Sequence, residues 1–561
     1  MTDFHVSPSG DDATPGTAER PFATLARARQ AAREVDGDVT VHLRAGTHVL
    51  TEPLDLTEED SRVVYQAFGY GTAAQEEAVV SGGREVAGRR GPDGVWRAEV
   101  GDLVTRHLVV DGRRVERAGV DGLPGTVRRT ATGYATDAPL DWRSPAGVEF
   151  VHRGVYPWTE ARTAVASVHD GEITMAQPAF GWAVDVYNSE WFGQVMSGPP
   201  APTRVENDPA FLTEGTFALD RSRPGGHVVH YLPRPGEEPR VVVPALEVLV
   251  RATGVRDVAF RGVVFADTTW LRPGGDRGFL HYHSNGYYDG GRIGRVEPAE
   301  GAWLTVPEEQ EQIPAGVQVD GSTGVRFEGC RFTRLGAAGL GATGGADLVV
   351  RGCDFDTLAA SAISVTGTNG AVIEDNLVAD VGLDHSGSAG ITFHDTADCA
   401  VAHNHVRDVP HNGIVAHPSR GGTRITRNLV TGTMGVLADG GGIYLSGAQG
   451  TSEHGAVISG NVIEDTRTPY NFGLYTDYGA TWVTVEGNVV ARADNTAVLH
   501  VHPPLEHVVY RGNFWDADPV GSDAVPDGVT YEGNTTIADP AGLDTATAGI
   551  RAAAGLLTRR A

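Results

Sequence analysis

The chain has 561 residues with 74 glycines, only 4 methionines and a modest aromatic share, which argues against a large helical protein and against one ordinary core. Its formal charge of −27 repels nucleic acid and anionic membrane, and it disfavours a polyanionic substrate unless arginine or calcium offsets it locally. With no apolar run of about 18 residues in the sequence, no membrane or nucleic-acid partner is expected, and a neutral ligand fits best.

The N-terminus, Met1-Thr2-Asp3-Phe4, has neither a basic n-region nor an apolar h-region. The expectation is therefore a cytoplasmic protein, with secretion the alternative if a leader has been removed. Apolar residues at helical spacing from Pro21-Phe22-Ala23-Thr24-Leu25 to Val35 predict a short capping helix, so residues 1–85 are read as an N-terminal cap and the first coils of a solenoid. Between 86 and 245 the text changes to alternating strands, with turns at Asp111-Gly112 and Pro235-Gly236 and with Trp142, Trp158, Trp182 and Trp191 among them. This is expected to be an inserted β-sandwich or barrel-like domain.

Solenoid text resumes at Val258-Ala259-Phe260-Arg261-Gly262-Val263-Val264-Phe265. A second insertion follows from about Asp276 to Pro314, with Trp303 and the acidic patch Glu308, Glu309 and Glu311; a loop of that length is commonly functional or disordered. From about 316 a short strand, a small-residue turn and a Cys or Asn recur. The anchors Cys330, Cys353, Asn376, Asn404, Asn428, Asn461, Asn488, Asn513 and Asn534 are separated by 23, 23, 28, 24, 33, 27, 25 and 21 residues. Unequal repeats of this size suit a β-helix, whose turns accept loops of any length while its strands stay in register. Stacked Asn side chains then bond from coil to coil. The fold class is thus all-β, a right-handed parallel β-helix with an inserted β-rich domain; residues 246–545 carry the groove, and 546–561 form a tail or capping helix. Three cysteines, Cys330, Cys353 and Cys399, make neither a disulfide framework nor a zinc spacing and read as small buried hydrophobes.

Each coil contains a strand such as Ala362-Ile363-Ser364-Val365, Gly390-Ile391-Thr392-Phe393, Gly413-Ile414-Val415-Ala416, Gly442-Ile443-Tyr444-Leu445 or Gly473-Leu474-Tyr475-Thr476. Alternation turns Ile363, Ile391, Ile414, Ile443 and Leu474 inward. Thr366, His394, His417, Ser446 and Asp477 then share one outward column, with Tyr444 and Tyr475 two residues away on the same face. A polar column of this composition suits a sugar-binding groove, and a plain solvated face is the alternative.

Asp439 precedes Gly440-Gly441-Gly442-Ile443-Tyr444, and Asp477 ends Gly473-Leu474-Tyr475-Thr476, on adjacent coils. Glycosidic hydrolysis needs two carboxyls flanking the bond, one to protonate the leaving oxygen and one to act as nucleophile or activate water. The alternative for Asp439 is a turn cap before its glycines. His394 or His417 would tune a carboxyl or bind a hydroxyl. Asp395, Asp384 with His385, and Trp270 are further candidates for lining the groove, whereas Glu464 and Asp465 read as a far-side turn. Three HxH pairs, His281/His283, His403/His405 and His500/His502, each with both rings on one face of a strand, lack a third ligand, so no metal is expected. With no phosphate loop, nucleotide fingerprint, GxSxG or HExxH in the sequence, no cofactor is expected, and nothing supports a structural calcium.

The opening Phe4-His5-Val6-Ser7-Pro8-Ser9-Gly10-Asp11-Asp12, with Pro15-Gly16-Thr17 and Arg20-Pro21-Phe22-Ala23-Thr24-Leu25, resembles the start of many β-helix glycoside hydrolases. Val109-Val110-Asp111-Gly112-Arg113-Arg114, Val148-Glu149-Phe150 with Trp158-Thr159-Glu160, the Phe260 to Phe265 segment and the Asp439 and Asp477 motifs together resemble glycoside hydrolase family 141 over about residues 3–515. That resemblance implies a glycosidase of α-L-fucosidase or xylanase type, acting on a neutral oligo- or polysaccharide such as plant cell-wall material, with Asp439 and Asp477 as the catalytic pair. Gly278-Phe279-Leu280-His281-Tyr282-His283-Ser284 departs from the family pattern. Two other functions remain open on this fold. A polysaccharide lyase or epimerase needs a cation for its uronate, for which Arg420 and Arg424 are the nearest candidates, and a non-catalytic carbohydrate-binding solenoid needs only an exposed aromatic platform. The sequence leaves the oligomeric state open.

Overall fold

The computed structural model describes residues 2–521 and 523–557 of the chain. Its body is a right-handed parallel β-helix of three-strand coils. One coil reads Ile363–Thr366, Val372–Glu374, Leu377–Ala379, and the next reads Ile391–His394, Ala400–Ala402, His405–Arg407, each strand pairing with its counterpart one coil on. Strands this short form because every residue at a corner must reverse the chain, and Asp or Gly at positive φ does so, as at Asp347, Asp375 and Asp398. At Gly345 the backbone takes φ +71°, and a side-chain carbon there would lie only 2.0 Å from the Ser322 carbonyl oxygen, so glycine alone fits.

The interior is stacked by residue type. Tyr65, Phe260 and Phe327 lie face to face on successive coils, as do Phe265, Phe332 and Phe355. Farther along, Ile363, Ile391, Ile414, Ile443 and Leu474 are register partners and fully buried. At one corner Asn376, Asn404, Asn428, Asn461, Asn488, Asn513 and Asn534 form a continuous ladder, each Nδ2 donating to the next Oδ1 at 2.8–3.0 Å. Cys353 begins it, its N–H donating to Asn376 Oδ1. The three cysteines are buried and form no disulfide.

The helix Leu25–Arg33, capped by the Thr24 side chain, packs Leu25, Ala28, Ala31 and Ala32 over the first coils. The C-terminal helix, Pro540–Ala553, starts before the position expected for it and caps no end. Its Leu543 and Ile550 pack with Val462, Val489 and Ala491 along the flank of the solenoid. Residues 558–561 of the expected tail lie outside the described residues. No helix among the described residues is long and apolar enough to cross a membrane.

A first excursion leaves after Ala78–Ser81, beginning with the strand Gly83–Val86 and ending with Val241–Pro244. The solenoid continues across it without a gap, because Ala78–Ser81 pairs with Val263–Ala266. The excursion is almost wholly antiparallel. The second excursion is not a separate loop. Its strand Phe279–His283 pairs with Glu160–His169, and its strand Ala302–Pro307 pairs with Asn188–Trp191. The two thus make one body beside the solenoid. A buried seam joins them to it at Asp384, whose carbonyl accepts from Arg162; behind it, within the first excursion, Glu149 accepts from Arg106 and Arg117, and Arg162 donates to Glu206 and Glu160.

Candidate active site

Two adjacent coils of one face, Gly441–Ala448 and Phe472–Glu486, are longer than their neighbours and run in register through Tyr444↔Tyr475 and Ser446↔Asp477. Three glycines precede Tyr444 because the packing leaves no room there. A side-chain carbon on Gly440 would lie 2.6 Å from Asn412 Oδ1, and one on Gly442 would lie 2.4 Å from Ile463 Cγ2. Asp439 itself takes φ +56°, an αL position that aspartate tolerates. Its N–H donates to the Tyr470 carbonyl at 2.8 Å, and its Oδ1 accepts from the Tyr475 hydroxyl at 2.9 Å, on the next coil.

The second carboxyl is held in a crossed arrangement. Tyr444, on the coil of Asp439, donates its hydroxyl to Asp477 Oδ2 at 2.9 Å, and the Tyr478 N–H donates to Asp477 Oδ1 at 2.7 Å. The two rings meet edge to face, with centroids 5.1 Å apart. Each carboxyl is thus tied to the other's coil. Both open onto a cavity of about 680 Å³. Burial and the nearby Asp477 push the Asp439 carboxyl up to about 7, with the Tyr475 hydroxyl opposing. Burial also raises Asp477, but the Tyr444 hydroxyl and Tyr478 N–H stabilise its anion.

His417 and Ser446 stand in the same wall, with Nδ1 3.1 Å from the Ser446 hydroxyl. His283 enters from the second excursion. Its Nδ1 hydrogen-bonds the Ser284 hydroxyl at 2.8 Å, and its ring lies 4.7 Å from that of Tyr444. Burial, then His417, His411 and His281 around it, hold His283 well below the ordinary histidine range, and burial with His394 pushes His417 down to about 4. Both are neutral imidazoles at pH 7. The remaining wall is mostly aromatic and apolar, including Trp158, Trp191, Tyr282, Tyr470 and Tyr478, with Gln310, His500 and His502 as further polar groups.

Of the residues predicted from the sequence to be catalytic or to bind substrate, the structure brings Asp439, Asp477, Tyr444, Tyr475, His417 and Ser446 into this cavity. It places the others elsewhere. His394 is exposed at the edge, its ring 6.1 Å from His417 and outside the cavity wall, and Asp395 points to solvent against Arg420. Asp384 belongs to the seam, bound by His107 Nε2 at 2.8 Å and by Arg114. His385 is fully enclosed beside Glu160 and Phe279. Trp270, 4% exposed, packs edge-on to Phe279 and His385 and offers no face to a ligand. The reason is common to Asp384, His385 and Trp270: the excursions cover that part of the face.

His283, Tyr282, Trp158, Trp191 and Tyr470 are not among the residues that the sequence predicts for the site. The HxH spacing predicts His281 and His283 on one side of a strand. A register shift between them instead buries His281 and turns His283 to the cavity, as bulges near active sites do. The departure of this segment from the family pattern is the signal the sequence offered. Among the described residues, no group of three or more His, Cys, Asp or Glu is placed to hold a metal.

Comparison with known proteins agrees with the architecture. The family described as "Right handed beta helix region" matches residues 311–453. No curated protein matches the sequence. A solved structure named "Glycoside hydrolase" is 20% identical with a TM-score of 0.71, over 99% of this chain and 99% of its own. A second, "The complex structure of XylC with xylose", is 12% identical with a TM-score of 0.51, over 91% of this chain and 75% of its own. At such identities the likeness is one of fold, and the first match extends it over both excursions: the whole chain shares the architecture of a β-helix protein named as a glycoside hydrolase.

Proposed function

We propose that this protein is a glycoside hydrolase acting on a neutral oligo- or polysaccharide, with Asp439 as the general acid and Asp477 as the nucleophile or the base that activates water. The observation that carries this reading is the pair of carboxyls in one cavity with unequal surroundings. Asp439 keeps its proton to about 7, as an acid must to protonate a leaving oxygen at neutral pH. Asp477 has two donors on its carboxylate, which favour the anion its role requires.

The rest of the wall suits a sugar without charge. Neutral His283 and His417, together with Ser446, offer hydrogen bonds to hydroxyls, and the aromatic rings offer stacking surfaces. A uronate lyase or epimerase would need a cation beside the substrate carboxylate. Among the described residues no arginine lines the cavity, Arg420 is engaged by the Asp395 and Gly367 carbonyls, and the chain contains no lysine.

The test is hydrolysis of aryl glycosides, including α-L-fucoside, β-D-xyloside and α- and β-galactosides, by the wild type, Asp439→Asn and Asp477→Asn. Turnover by the wild type and a loss of roughly 10²–10⁴-fold in each variant is expected. Undiminished turnover in both folded variants would remove the carboxylate mechanism.

A further inference from the structure

The space around Asp439 continues past the carboxyl. A second cavity of about 470 Å³ lies on its far side, bounded by the 155–158 segment and by the hairpin of Asn188–Trp191 and Gln194–Ser197. Asp439, Trp158, Trp191 and Tyr470 line both cavities, whereas Asp477, His417 and Ser446 line only the first. Asp439 therefore stands at the neck between two chambers. The acid that protonates a glycosidic oxygen must stand there, because that oxygen joins the unit retained on one side to the unit released on the other.

The second chamber has the character of a sugar platform. Trp191 and Tyr470 remain 38% and 53% exposed, and Phe192 and Val195 on the same hairpin are more exposed still. Rings left open in this way are unusual unless a ligand covers them. The platform is braced: Glu190 and Trp191 pair with Trp303 and Ala302 of the second excursion, and Glu190 accepts from Trp303 Nε1 at 2.9 Å. Among the described residues Asp439 is its only charged lining residue, so an anionic unit meets no cation there.

We infer that the second chamber is the leaving-group subsite, and that the substrate is an oligosaccharide whose next neutral sugar ring stacks on Trp191 and Tyr470. This rests on the glycosidase reading. On cleavage, the bond from the anomeric carbon to the glycosidic oxygen breaks, Asp439 gives that oxygen its proton, and the neutral sugar bearing the new hydroxyl leaves through this chamber. Water supplies the hydroxyl that ends on the anomeric carbon, and its other proton passes to the carboxylate that activates it, which restores the pair's single proton.

The experiment compares, for the glycon identified by the aryl panel, its trisaccharide with its glycosyl fluoride, whose leaving group fills no subsite. Trp191→Ala removes the platform, and Gln194→Trp blocks the chamber from the hairpin. The ratio of kcat/KM for trisaccharide over fluoride is expected to fall at least about tenfold in both variants. An unchanged ratio in both would overturn the inference. If the wild type hydrolyses no glycoside, the glycosidase reading fails separately. Calorimetric binding of xylotriose and 2′-fucosyllactose to Asp439→Asn then decides, with weakening of about tenfold or more on adding Trp191→Ala as support and unaltered or undetectable binding as refutation.

Discussion

At the scale of single residues, the protonation of Asp439 makes both stability and activity depend on pH. The unfolded chain loses this proton near the ordinary aspartate value, while the folded chain keeps it to about 7. Between those values the native state binds more protons, so this group's contribution to stability falls as pH rises, and the cost is complete above 7. Asp439→Asn escapes it. Its unfolding free energy is expected to exceed that of the wild type by roughly 2–4 kcal/mol at pH 8 and to match it at pH 4, measured by denaturant titration. Equal stability at both pH values would show that the carboxyl is not shifted. Tyr444→Phe removes a donor from the Asp477 anion, so the acidic limb of kcat/KM should move to higher pH, by up to about one unit, and the limb belongs to the coupled pair. Asp477 and both tyrosines were legible in the sequence because strand alternation fixes which residues face outward, whereas Asp439, which precedes its strand, was marked by the three glycines after it and by the family resemblance. The crossed hydrogen bonding was not, since it depends on how far adjacent coils slide past one another.

At the scale of elements, the Asn ladder holds the coils in register. Asn428 Oδ1 accepts from the N–H and Nδ2 of Asn404, and its own Nδ2 donates to Val401 and Asn461. Asn428→Ala orphans several of these buried groups, at about 1–3 kcal/mol each. At the end of the ladder Asn534 is half-exposed, so water can replace what Asn534→Ala removes. The denaturation midpoint is therefore expected to fall well below wild type for Asn428→Ala and only slightly for Asn534→Ala. Similar losses would mean that the ladder acts locally and not as a continuous brace. Its positions were readable from spacing alone, because each coil returns to the same corner whatever its loop length. The helix Pro540–Ala553 was misplaced for the opposite reason: an amphipathic helix carries no mark of which surface it covers.

At the scale of the whole molecule, the site is completed by pieces remote in sequence. Trp158 and Trp191 come from the first excursion and Tyr282 and His283 from the second, and the two excursions reach the carboxyls as one body. His107, Arg114 and Arg162 fix that body to the solenoid at Asp384, and the Glu149 pairs buried behind them brace the first excursion itself. Glu149→Gln leaves Arg106 and Arg117 buried and undercompensated, a loss of roughly 3–5 kcal/mol. Limited proteolysis is expected to cut the excursions of this variant while the β-helix keeps its circular dichroism, and glycoside turnover should fall with it. Wild-type protease resistance would show that the strand pairing holds the body without the Glu149 pairs.

By itself the sequence determined the solenoid, the direction of each strand's side chains and the outward column containing His417, Ser446 and Asp477, because a repeat of period-2 strands dictates all of these locally. It also determined the two carboxyls as a pair on neighbouring coils. Only the tertiary structure decided that His394 and Asp395 stay at the rim, that Asp384, His385 and Trp270 are taken up by the seam and by packing, and that His283 and the two tryptophans complete the cavity. Those outcomes depend on where the excursions fold back. Antiparallel pairing between segments more than a hundred residues apart leaves no periodic trace in the chain.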